Sequence, residues 1–230
     1  MTRYDFTTQP NRLDQNTMKW HEAESNPELL ELWVADMDFL PVPEIRDAVI
    51  NYAETHIFGY PYPSEELYQS IINWEKNQHG YVVDKESIVL IEGVVPAIST
   101  AIQAFTKEGD AVLINSPVYP PFARSVRLNN RRLIENSLVK VNGHFEIDFE
   151  QLERDIVEND VKLYVFCSPH NPGGRVWTKE ELTKVADLCQ KHGVLLVSDE
   201  IHQDLALYGN KHISMNTISD AYKDFTLGLS

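Results

Sequence analysis

The chain has 230 residues, 43% hydrophobic and 10% aromatic, enough to bury one large core or two small ones. Its 20 Lys and Arg stand against 35 Asp and Glu, and a net charge of -15 opposes general attraction to nucleic acid or to an anionic membrane surface. The polar start MTRYDFTTQPNRLDQNTMKWHE lacks the apolar core of a signal peptide, and no run of about eighteen apolar residues occurs, so a cytoplasmic location without membrane insertion is expected.

In chain order, Pro10, Pro27, Pro41 and Pro43 among isolated apolar clusters predict an extended arm over 1–45 with one short strand, Leu32 to Ala35. From Val42 the spacing Val42, Ile45, Val49, Tyr52 predicts a helix, which GYPYP at 59–63 must break. Ser64 is placed to cap a second helix, Glu65 to Gln78, with Leu67, Ile71 and Trp74 on one face. A large domain over 46–230 is expected to contain β-rich runs at Ser87 to Ile91, Ala111 to Ile114, Arg132 to Glu135, Lys162 to Cys167, Val194 to Ser198 and Asp224 to Leu229. They are separated mainly by helical stretches. The most legible has a Thr178/Glu181 capping box, an inward face of Leu182, Val185, Ala186 and Leu188 or Cys189, and Gly193 as its stop. The alternation predicts an α/β fold, three layers around a mainly parallel sheet. Cys167 and Cys189 fall in apolar surroundings, and no disulfide is expected.

In such sheets ligands bind beyond the carboxyl ends of the strands. Four loops there are unusual: EGVVPA (92–97), NSPVYPP (115–121), SPHNPGGRVW (168–177) and SDEIHQD (198–204). Gly93, Val94 and Val95 lead into a helix whose N–H groups suit a phosphate, although strand to Gly to helix is also a common connection. Tyr119 is placed either to stack on a planar ligand or to fill core. Asn171 reads as a tight turn, with a cis bond to Pro172 and an amide for a ligand oxygen as further options. Asp199 calls for a buried cation, whether a ligand or an Arg of the protein. G-x-G-x-x-G, P-loop and G-x-S-x-G motifs are missing, and His192, His202 and His212 lack metal-ligand spacing.

Taken together and in order, the loops resemble the pyridoxal-phosphate enzymes of fold type I. Within these, YDFTTQPNRLDQNTMKW, LWVADMDFLPVPEI, FGYPYP, GVVPAI, SPVYPPF, SPHNPGGRVWTKEEL and SDEIHQDL resemble the cystathionine β-lyase-like C–S lyases, the MalY/PatB group. The resemblance implies pyridoxal 5'-phosphate as cofactor, with Asp199 on the protonated pyridine nitrogen, Asn171 on the phenolic oxygen and Tyr119 stacked on the ring. Gly93, Val94 and Val95 would lie against the phosphate. Tyr60 would reach the phosphate of a neighbouring subunit, which makes a homodimer the expected assembly. His202 would support the site from behind, and Glu200 would form an ion pair at a helix end or between loops.

The family's Schiff-base lysine follows the strand after the aspartate, in a Ser-x-x-Lys-x-Phe turn. Here that strand is DFTLGLS and the sequence stops at Ser230, so this lysine and the rest of the small domain are expected to lie beyond it. Neither Lys211 nor Lys223 is placed to substitute. The chain is read either as a fragment of a longer enzyme or as a truncated product, and as inactive by itself. The expected activity of the whole protein is β-elimination at the Cβ–S bond of cystathionine- or cysteine-type amino acids, giving pyruvate, ammonia and a thiol. An aminotransferase of small or aromatic amino acids is the alternative within enzymes, and a non-catalytic regulatory binding protein the alternative outside them. LWVADMDF favours the lyase.

Overall fold

The computed structural model describes residues 4–13, 15–26 and 28–230, which cluster into two compact units, Met1–Tyr62 and Pro63–Ser230. The division falls in the Pro-rich GYPYP segment, beyond the 45/46 boundary expected from sequence, so that the first helix belongs with the arm. Pro27, named among the arm's prolines, lies outside the described residues.

In the first unit the expected strand at 32–35 is not formed. Paired charges organise the arm instead. Arg12 reaches Asp38 at 2.6 Å and also pairs with Asp36, while Lys19 reaches Asp38 at 2.8 Å and the Trp20 indole donates to it at 3.0 Å. The Lys19 ammonium, aided by Arg12 and Trp20, holds the Asp38 carboxyl down at about 2. Helix α1 (Pro43–Thr55) follows, with Pro43 at the position where a missing N–H costs nothing.

In the second unit Ser64 caps α2 (Glu65–Trp74) through the Leu67 N–H. The helix is shorter than expected. It loosens into a π-helical turn, Glu75–His79, that Gly80 stops at φ 69°. Its presumed inward face is also more exposed than expected, since Trp74 donates its indole N–H to Asp204 rather than packing into core. The expected strand at 87–91 is absent too: Ile88 has extended dihedrals, but the segment finds no ladder partner among the described residues.

The chain then builds α3 (Val94–Phe105), β1 (Ala111–Ser116), α4 (Pro121–Leu128) and β2 (Arg132–Ser137). The hairpin β3 (Val139–Val141) and β4 (His144–Glu146), unforeseen in the sequence, turns at Asn142-Gly143, both with positive φ. After it come α5 (Phe149–Glu158), β5 (Val161–Cys167), α6 (Lys179–His192), β6 (Leu195–Asp199) and β7 (Thr226–Leu229). The main sheet is parallel throughout, in the order β2-β1-β5-β6-β7.

Strand alternation sorts the core onto two faces. Val112 and Ile114 of β1, Leu163, Val165 and Cys167 of β5 and Val197 of β6 pack on Ile98 and Ile102 of α3 and Phe122 and Val126 of α4. Their neighbours Leu113, Tyr164, Phe166 and Leu196 pack on Leu152 and Ile156 of α5 and on Leu182, Val185, Ala186 and Cys189 of α6. Helix α6 carries the expected capping box between Thr178 and Glu181 and ends at Gly193, φ 66°. Phe166→Ala, at a side chain with no exposure, is expected to lower the unfolding free energy by about 3–5 kcal/mol. Thr178→Ala, which removes only the cap, should lower it by about 1 kcal/mol, both read from urea unfolding.

Candidate active site

The order of the strands selects one place on the sheet. From β1 the chain moves outward to β2 and then returns to lay β5 on the other side of β1, so the loops after β1 and β5 diverge from a topological switch point, where open parallel sheets bind ligands. Those two loops carry Tyr119 and Asn171, and the Tyr119 N–H donates to the Asn171 carbonyl at 3.0 Å. Tyr119, 41% exposed, makes a T-shaped ring contact with Phe122. The Asn171–Pro172 bond is cis, as are Ser116–Pro117 and Ser168–Pro169.

The Asp199 backbone is tied to the same loop, with its carbonyl accepting from Ser168 N–H at 2.9 Å. Its side chain shares the face of Val197 and is nearly sealed, the residue being 3% exposed. The carboxylate accepts from Ile201 N–H at 3.1 Å and, among the described residues, makes no ion pair. Burial pushes its pKa up, the Ile201 amide and nearby His202 pull it back, and Glu200 adds to the rise. His202, half-buried just after the strand, therefore lies close enough to act on it electrostatically.

Glu200 points the opposite way and is fully satisfied. It accepts from Ser198 Oγ at 2.8 Å, Met215 N–H at 3.0 Å and His212 Nε2 at 2.9 Å, the inter-loop pairing expected for it. The short connection at 106–110 turns α3 back along β1, which puts the amino end of α3 at the carboxyl edge of the sheet. Gly93 caps that end at φ 138°, a conformation side chains resist, and no side chain caps the helix. The first turn offers the N–H groups of Val94 and Val95 and carries no acidic residue, an arrangement that suits an anion. Tyr60 belongs to the first unit, where its ring is fully exposed.

Sequence reasoning missed His170, while Cys167 is the buried apolar thiol it expected. The His170 ring, in a residue 3% exposed, donates from Nε2 to the Pro117 carbonyl at 2.8 Å, spanning the two loops. The Cys167 thiol, pushed by burial up to about 12, accepts from Asn171 N–H at 3.3 Å and so serves as packing rather than as a nucleophile. A His beside Asn-Pro-Gly-Gly was the available signal for His170, since only a position without Cβ at 173 leaves room for its ring.

The family model described as aminotransferase class I and II matches residues 27–228. Cystathionine beta-lyase PatB of Bacillus subtilis is 41% identical over 226 residues, which is 97% of this chain and 58% of PatB. Among solved structures, cystalysin of Treponema denticola, which contains a pyridoxal 5'-phosphate cofactor, superposes with a TM-score of 0.92 at 38% identity, covering 98% of this chain and 59% of the other. The PLP-bound C–S lyase of Staphylococcus hominis gives 0.90 at 30% identity, covering 98% and 58%. The chain thus spans somewhat over half the length of the relatives it matches.

The raised Asp199 pKa yields a prediction for the protein without added ligand. A carboxyl whose folded pKa is raised contributes most below its unfolded value, about 4, and that contribution is lost as pH rises through the folded value. Asp199→Asn keeps the acceptor for Ile201 without the charge. It should therefore be more stable than the unsubstituted protein at pH 7, with the gap closing as pH falls from the raised folded value to about 4, below which the two are alike in urea unfolding.

Proposed function

Because the chain belongs to the class I and II aminotransferase family, we propose that it forms the cofactor-holding part of a pyridoxal-phosphate-dependent C–S lyase. The substrate class is cystathionine- or cysteine-type amino acids, and the products are pyruvate, ammonia and a thiol. The observation that carries the reading is Asp199, a sealed carboxylate at the end of an interior strand with no ion pair among the described residues. A protonated pyridine nitrogen is a cation of the right size, and it would reverse the upward shift that burial alone imposes. The uncapped amino end of α3 fits a phosphate, and the half-exposed Tyr119 fits a planar ring.

When bound, the cofactor supplies an electron sink for the substrate's α-carbon. The protein's part is orientation and charge. Asp199 holds a proton at the pyridine nitrogen, Asn171 donates its amide N–H to the phenolic oxygen, and Tyr119 covers one ring face. Gly93, Val94 and Val95 hold the phosphate with backbone N–H groups, and His202 steadies the Asp199 charge. Tyr60 would serve the phosphate site of the partner in a homodimer, working in the cytoplasm with the arm across the two-fold interface. The second unit, Pro63–Ser230, would constitute the cofactor-binding large domain.

The two lysines nearest the end of the sequence, Lys211 and Lys223, are not placed for a covalent role. Lys211 is exposed in a loop, and Lys223 pairs with Asp220 at the amino end of β7. The 230-residue chain is expected to bind pyridoxal phosphate reversibly, with no mass increase after borohydride treatment and no pyruvate released from cystathionine; a reducible adduct would refute this assignment of the lysines. In the full-length protein, Asp199→Ala should lower kcat/KM for pyruvate release by about 10²–10³-fold, the scale of an unpaired buried charge, and Glu200→Gln by far less. Amino-group transfer to a keto acid without pyruvate formation would replace the lyase by an aminotransferase, the reading that the family description itself favours next.

A further inference from the structure

The loops that carry Tyr119 and Asn171 start from strands that diverge in sequence, and a ring seated between them needs a fixed spacing. Two hydrogen bonds cross the gap. One is from Tyr119 N–H to the Asn171 carbonyl at 3.0 Å, the other from His170 Nε2–H to the Pro117 carbonyl at 2.8 Å. Because Pro117 O can only accept, Nε2 carries a proton, while Nδ1 is buried without a hydrogen-bond partner among the described residues. The residue is held by its backbone as well. Its backbone N–H donates to Arg175 O and its carbonyl accepts from Gly174 N–H, both at 2.8 Å, while Trp177 packs edge-on at 5.7 Å. A Cβ at position 173 would stand 2.7 Å from His170 Cδ2. The loop is thus shaped around this imidazole.

We propose that His170 is the positioning residue of the switch point: its Nε2–H clamps the Pro117–Pro120 segment against the Ser168–Gly174 loop and so sets the distance between Tyr119 and Asn171. The proposal rests on the reading that pyridoxal phosphate binds there. Burial lowers the His170 pKa, against the opposing Pro117 and Cys167 backbone contacts and with a smaller push from the Arg175 guanidinium, and this favours the neutral ring whose N–H the Pro117 contact places on Nε2.

The test compares His170→Leu, which keeps bulk without a donor, with His170→Gln, whose side-chain amide restores an N–H. Hydrogen exchange is followed at the Tyr119 amide, with Leu113 in β1 as the control for global unfolding. Pyridoxal phosphate is then titrated by its visible circular dichroism. The expected result is about tenfold faster exchange at Tyr119 and about tenfold weaker pyridoxal phosphate binding in His170→Leu, with Leu113 unchanged and both effects largely reversed in His170→Gln. Unchanged Tyr119 exchange in His170→Leu would overturn the clamp. So would equal acceleration at Tyr119 and Leu113 in both variants, since that is the behaviour of a packing residue. If the unsubstituted protein fails to bind pyridoxal phosphate while Tyr119 exchange responds as expected, the clamp stands and the cofactor assignment falls.

Discussion

Two carboxylates stand side by side at the end of β6, and strand alternation sends them to opposite faces. A buried charge must be met by a cation or by enough donors, and the two neighbours meet this requirement differently. Glu200 is satisfied from within by a hydroxyl, a backbone amide and an imidazole, which fasten the returning 212–215 segment to the strand end. Among the described residues the Asp199 carboxylate accepts from a single backbone N–H. Because Glu200 also repels it, the pair stores an unmet demand for positive charge at one atom group, on the sheet face that α3 and α4 cover.

That face is where the topology opens. The crossover from β1 through α4 to β2 and the crossover from β5 through α6 to β6 run in opposite directions from the centre of the sheet. Right-handed crossovers in opposite directions put their helices on opposite faces, as the two core clusters do, and the strand ends between them are left uncovered. Loops at such a gap cannot be braced by a helix from above. Here they brace each other through the Tyr119 amide and the His170 ring.

The sequence made the interior strands and α6 legible because each signal was local: β-branched runs of strand length, and a capping box whose partners are three residues apart. It failed where the deciding partner is distant. Residues 88–91 have strand-forming side chains, yet a strand also needs a ladder, and residue preference says nothing about whether one is available. Residues 32–35 were misread for a similar reason. Their conformation follows from Arg12 and Lys19 gripping Asp36 and Asp38, pairings that span up to 26 residues. The β3–β4 hairpin was a different miss, since Asn142-Gly143 between alternating residues is a strong local turn signal and was passed over. In the candidate site, Asp199, Tyr119 and Asn171 were conspicuous as residue types. His170 was not, because its importance lies in reaching a backbone carbonyl 53 positions away.

The residues assigned to the cofactor do not by themselves select one reaction. Holding a proton on a ring nitrogen, donating to a phenolic oxygen and covering a ring face would assist elimination and amino transfer alike, since both pass charge into the same ring. Selectivity has to come from groups that meet the substrate's side chain. In the arm the acidic residues of LWVADMDF are neutralised within the unit, Asp38 by Lys19 and Arg12 and Asp36 by Arg12. The outward features of that segment are apolar: Leu32, Trp33, Met37 and Leu40 are all well exposed. The arm thus offers apolar contact rather than charge at its surface, because its carboxylates are already committed to holding its own backbone in place.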